Sequence, residues 1–148
     1  MKTFFSCLSL LFLVASCNNA DEKAISEKSN KQEIVYDMYE PSEMANLMNQ
    51  MYGHNLDVKK SIVSGEDIQE FPLDFLKIHT AELSDFKKRN DTFESFSKLF
   101  IQAEKELYNP ESALSETDRF NNVVNLCISC HQTECTGPIP RIKKLLIK

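Results

Sequence analysis

A chain of 148 residues with 17 Lys and Arg against 22 Asp and Glu, a formal charge of -5, holds enough material for one domain and lacks the cationic excess that binds nucleic acid. Its size excludes a polymerase, a helicase or a multidomain enzyme. Three glycines, with no G-x-G-x-x-G or G-x-x-x-x-G-K pattern, leave no phosphate cradle and argue against nucleotide chemistry.

Residues 1–16 read as an export signal. Lys2 gives a positive start, and Leu8 to Ala15 form an apolar run too short to span a bilayer as a helix. The tetrapeptide Val14, Ala15, Ser16, Cys17 resembles a bacterial lipobox, which implies that Cys17 becomes the lipidated first residue of the mature protein. The alternative is an ordinary signal peptide that happens to contain a cysteine. One acyl chain anchors only marginally, whereas the three chains implied by the resemblance would hold the protein in the cell envelope, on the periplasmic side or in the outer membrane. Residues 17–33 follow as a lipidated tether: NNADEKAISEKSNKQE has one large aliphatic residue and mixed charge, too little apolar surface to offset the entropy of ordering. Residues 34–148 are then the folded domain, long enough for one modest core.

Apolar residues in that domain recur at helical intervals. Pro41 and Ser42 open a first helix of about six turns carrying Met44, Leu47, Met48, Met51, Val58 and Ile62, with Gly65 as its stop. His54, beside Gly53 and Asn55, is expected on its exposed polar face. A second, weaker helix is expected from Pro72 to about Arg89, with Phe75, Ile78, His79, Leu83 and Phe86. A third starts at Asp91 as N-cap with Glu94 completing a capping box, and runs through Phe93, Phe96, Phe100, Ala103 and Leu107 to Asn109 and Pro110. The fourth begins after Ser115 and carries Phe120, Val123, Val124, Cys127, Cys130 and His131. Four helices on short loops predict an all-α, antiparallel four-helix bundle.

Cys127, Ile128, Ser129, Cys130, His131 spell C-x-x-C-H, the attachment pattern of haem c. On a helix the two cysteines lie one turn apart, in reach of the two vinyl groups on one haem edge, and His131 returns to the same face to meet the iron. Export agrees with the motif, since covalent haem attachment in bacteria takes place outside the cytoplasm. Two other uses of these residues stay open: a thioredoxin-like pair, which needs a βαβ setting that nothing in the pattern supplies, and a zinc site of Cys127, Cys130, His131 and Cys135, which would have to surround an ion from nine largely helical residues. Cys135 has no obvious partner once lipid and haem claim the other three cysteines of the mature chain. It reads as a small packing residue, a reactive thiol or an intermolecular crosslink.

A helical bundle with C-x-x-C-H on its last helix resembles the cytochrome c-prime family, the class II c-type cytochromes, over roughly Tyr39 to His131. The segments FPLDFLKIHTAE and CISCHQTECTGPIPRIKKL also resemble small haem lipoproteins of Bacteroidetes-type bacteria. The chain departs from the family by continuing for 17 residues past His131. The resemblance implies one covalent haem c with iron, His131 as proximal ligand, and either a methionine of the first helix or an open site opposite it. Met48 is the leading candidate because it is central to the stripe, with Met51 and Met44 as alternatives and His79 as a rival that would give bis-histidine iron. A methionine stripe is also ordinary core filler. The tail holds Arg141, Lys143, Lys144 and Lys148 and no acid from Cys135 on, suited to haem propionates, anionic lipid or a redox partner, or simply solvated with Ile142, Leu145 and Leu146 packed inward. The expected function is a membrane-anchored monohaem electron carrier rather than an enzyme, the alternative being a gas-binding or sensor protein with an open sixth position. Its expected partners are a redox protein and the membrane, with a homodimer left open and nucleic acid excluded.

Overall fold

In the computed structural model, which describes residues 40–84 and 87–148, the protein is all-α, with no strand among the described residues. Residues 1–39, and with them the signal, Cys17 and the tether, lie outside the described residues. No helix among those described is long and apolar enough to cross a membrane.

Helix α1 spans Glu43–Ser64, and both of its ends are local chemistry. The Ser42 hydroxyl accepts the Ala45 N–H at 3.2 Å, satisfying one of the donors that a first turn leaves unpaired. At the other end Gly65 turns left-handed at φ 72°, so that its N–H and that of Glu66 reach back to the carbonyls of Ile62 and Ser61. Between these stops Met44, Leu47, Met51 and Val58 bury one stripe, joined by a polar residue, Asn55.

The second helix expected between Pro72 and Arg89 is not formed. Leu73–His79 makes a 3-10 segment that buries Phe75 and Ile78 three residues apart, and residues 80–84 and 87–90 form no regular element; Phe86 lies outside the described residues. Pro72 contributes no side-chain cap. The carbonyls that a longer helix would have used are taken by tertiary donors instead. Arg89 gives Nη1 to Ile78 and Nη2 to Ala81, at 2.9 and 2.6 Å. Glu82 bridges to α1, its carbonyl accepting the Met44 N–H and its own N–H donating to the Glu43 carboxylate, both at 2.9 Å. This segment therefore serves as a cap for α1.

Helix α2 spans Asp91–Leu107, with Asn90 rather than Asp91 as N-cap, its Oδ1 accepting the Phe93 N–H at 2.7 Å. The expected capping box shifts accordingly, and Glu94 lies 3.9 Å from Arg89. Helix α3 spans Glu116–Glu134 and starts, as expected, after Ser115, whose hydroxyl accepts the Asp118 N–H at 3.1 Å. The two helices are antiparallel and tied at both ends. Buried Arg119 gives Nη1 to the carbonyls of Glu106, Leu107 and Asn109 at the end of α2, while Asn90 and Lys87, ahead of α2, reach Glu134 at the end of α3. Phe120, Val123, Val124 and Leu107 are fully buried between them.

The tail packs as a short helix, α4 (Ile139–Ile142), and a 3-10 turn, Lys143–Leu145, with Ile142 and Leu145 buried. It is pinned by Lys59 of α1, which donates to the carbonyls of Lys144 and Leu146 at 2.9 Å, and by Asn121 of α3, paired with the main chain of Ile147. Three long helices, a 3-10 segment and this folded tail are thus the described architecture.

Candidate functional site

The last two turns of α3 carry Cys127, Cys130 and His131 on one side, as their spacing requires. They line an apolar cavity of about 340 Å³ whose opposite wall is the first half of α1. Met44, Met48, Met51, Tyr52 and Asn55 face it from α1, Phe93 from α2, and Pro138, Ile142 and Leu145 from the tail. Lys87, Lys88, Glu134 and Arg141 complete its lining with charge. Arg141 is held there by Asn49 at 2.9 Å and by stacking over the Tyr52 ring, 3.7 Å from its centroid.

His131 is oriented by its own helix end. Its Nδ1–H donates to the Cys135 carbonyl at 2.8 Å, where the chain leaves α3 in an extended conformation and returns the Cys135 N–H to the His131 carbonyl. A neutral imidazole that donates through Nδ1 keeps the Nε2 lone pair for an electrophile, the arrangement that outer hydrogen bonds give to metal-bound histidines. The Cys135 thiol is exposed, so that residue contributes to the site through its main chain.

Cys127 and Cys130 are free thiols. Burial, assisted by the carboxyl of Glu104 and by Cys130, pushes Cys127 up to about 12. Burial and then Glu134 push Cys130 up to about 11. Thiol-disulfide chemistry needs the opposite, a thiolate favoured at neutral pH, so these two cysteines are poor redox thiols. The zinc set of Cys127, Cys130, His131 and Cys135 does not converge, because among the described residues no three His, Cys, Asp or Glu side chains come close enough to share an ion. The donors present are two thiols one turn apart, an imidazole, and thioethers across an apolar slot, the donor types that a covalently held haem would need.

All three methionines singled out in the sequence reach the cavity, Met44 and Met51 buried and Met48 partly exposed. His79 does not reach it. It ends the 3-10 segment with its Nδ1 3.3 Å from Ser97 Oγ of α2. His54 is not a surface residue as its polar neighbours suggested. Its Nε2 lies 2.7 Å from the Tyr108 hydroxyl and its ring stands edge-on to Phe75 at 5.3 Å, and burial lowers its pKa against the pull of Asp57.

Glu104 and Asn55 went unread in the sequence, although both sit in register with apolar stripes. Glu104 follows Phe100 by four and precedes Leu107 by three, and Asn55 follows Met51 by four and precedes Val58 by three. A polar side chain in phase with a buried stripe is the signal that marks them. No family model, curated protein or solved structure matches this chain.

Proposed function

We propose that the cavity holds one covalent haem c and that the protein is a single-electron carrier of the exported, lipid-anchored kind, akin to the class II cytochromes in the position of its attachment motif. The observation that carries this reading is the shared cavity: the C-x-x-C-H residues on α3 and the methionines on α1 line the same apolar slot. When bound, the haem supplies a one-electron couple between ferric and ferrous iron.

In this reading Cys127 and Cys130 would hold the haem covalently as thioethers, one sulfur to each of its two vinyl positions. Their high pKa values leave them as neutral thiols before attachment. His131 presents Nε2, kept available by the Cys135 carbonyl. Met48, on the opposite wall and central among three candidate methionines, would be the thioether that holds the iron across from His131. Phe93, Ile142 and Leu145 exclude water, so that a charge change meets little solvent rearrangement. Lys88 and Arg141 supply positive charge for the propionates. Cys17 and the tether give the folded domain reach from the envelope membrane toward a redox protein.

The test is extraction and spectroscopy of protein made in a host with haem-attachment machinery. Haem should stay with the protein in acidified organic solvent, and the ferrous spectrum should be unchanged by carbon monoxide. Haem that extracts freely overturns the thioether assignment. Carbon monoxide binding by the unaltered protein would move gas binding ahead of electron transfer.

A further inference from the structure

Glu104 sits mid-way along α2 with no exposed surface, and neither of its carboxyl oxygens has a hydrogen-bond partner among the described residues. Across from it on α1 the amide group of Asn55 donates to the Met51 carbonyl at 2.9 Å, which leaves Asn55 Oδ1 equally unpartnered. Three acceptor atoms in a dry interior are costly as long as the carboxyl is ionised, and native proteins seldom keep such groups without a use. A single proton eases the conflict, because it removes the buried charge and gives Glu104 an O–H to donate to Asn55 Oδ1. Burial favours that form and pushes Glu104 up to about 8, with Asn55 pulling the other way.

The pair abuts the wall of the site. Asn55 lines the cavity, and the charge of Glu104 is felt at the Cys127 thiol. Few other ionisable groups face it. Tyr108, one turn along α2, stays a neutral phenol because burial and Glu104 both raise its pKa. His54 of α1 is engaged by that phenol. Cys127 of α3 ceases to titrate once it is a thioether. Arg119 of α3 is occupied by the main-chain carbonyls at the end of α2.

We propose that Glu104, paired with Asn55, is a redox-linked proton site, holding a proton when the cavity carries the transferred electron and releasing it when the electron leaves. The inference rests on the haem reading above. The balance would be one electron from a donor protein, which a bound haem would take up, and one proton from solvent hydronium: an O–H bond of hydronium breaks, an O–H bond forms on the Glu104 carboxylate, and water is released. Loss of the electron adds one positive charge to the cavity, which favours the carboxylate across a poorly screened interior.

The experiment is a potentiometric titration of the haem-loaded protein from pH 5 to pH 9, roughly centred on the ionisation of this buried acid. The midpoint potential should fall as pH rises through the neutral range, approaching 59 mV for each tenfold drop in proton activity, the limit for one proton per electron. Glu104→Gln should flatten the profile while His54→Gln leaves it sloped. Should Glu104→Gln fail to fold, infrared difference spectra of the unaltered protein serve instead, showing the carbonyl stretch of a neutral carboxylic acid gained on reduction and shifted by carbon-13 glutamate. A flat potential in haem-bearing protein, a slope that survives Glu104→Gln, or the absence of that infrared band overturns this inference alone. Protein that binds no haem overturns it together with the haem reading.

Discussion

The two halves of α3 follow the same helical pattern and end in opposite states. In the first half Phe120, Val123 and Val124 have no exposed surface and pack against Leu107, with Arg119 closing the end of α2. In the second half Cys127, Cys130 and His131 are only partly buried and face a cavity of about 340 Å³. Protein interiors are close-packed, and a hollow of this size is a standing loss of contact unless something occupies it. One half of the helix packs as core, and the other lines a cavity that the first half holds in place.

The comparison breaks most completely if the attachment residues are removed. Cys127→Ala with Cys130→Ala should abolish covalent haem, read by haem staining of denatured protein, while circular dichroism still reports helix. In the packed half, Phe120→Ala should cost about 3–5 kcal/mol in urea unfolding, because a large ring is removed from a site with no room to relax. The cavity wall should answer differently from one methionine to the next. Met44→Ala should cost about 2–5 kcal/mol as an ordinary core truncation. Met48→Ala, partly exposed, should cost less stability in haem-free protein yet open the iron to carbon monoxide and lower the reduction potential once haem is loaded. If only Met51→Ala opens the iron, the ligand is one turn away from the favoured position.

Glu104, buried on α2, gives a pH signature in the haem-free protein. Its folded pKa of about 8 stands above the unfolded carboxyl value, so the native state binds the extra proton and stability is lost as pH rises from the unfolded value to the folded one. The stability difference between the unaltered protein and Glu104→Gln should therefore drift by up to about 1.4 kcal/mol per pH unit across that window, in favour of the glutamine variant as pH rises. A pH-independent difference would show Glu104 to be ionised or neutral in both states. The smallest effect belongs to the cap at the head of α3, where Ser115→Ala should cost about 1 kcal/mol and leave haem attachment untouched.

Parts of this were legible in the sequence because they are local. Ser42 and Gly65 bound α1 through bonds that span three to five residues, and Ser115 starts α3 in the same way. C-x-x-C-H carries its own geometry, since one turn of helix is all that brings two sulfurs and an imidazole to one face. The all-α class follows from the same short-range periodicity. The region from Pro72 to Arg89 was not legible, because its carbonyls are claimed by Arg89 and by the start of α1, partners that no periodicity reveals. Nor were the positions of the histidines. His79 and His54 are both half-buried, and only the packing of α2 and Tyr108 pairs one with Ser97 and the other with the Tyr108 hydroxyl.

What the chain by itself determined is therefore its helices at the capped ends and the shared face of Cys127, Cys130 and His131, both consequences of contacts within a turn or two. Tertiary structure alone decided that three methionines and the motif share one cavity, that the tail folds back to close it, and that Glu104 lies in the dry interior. The physical reason is that burial is a property of neighbours: an acid in phase with an apolar stripe becomes a proton site only when the helices around it exclude water.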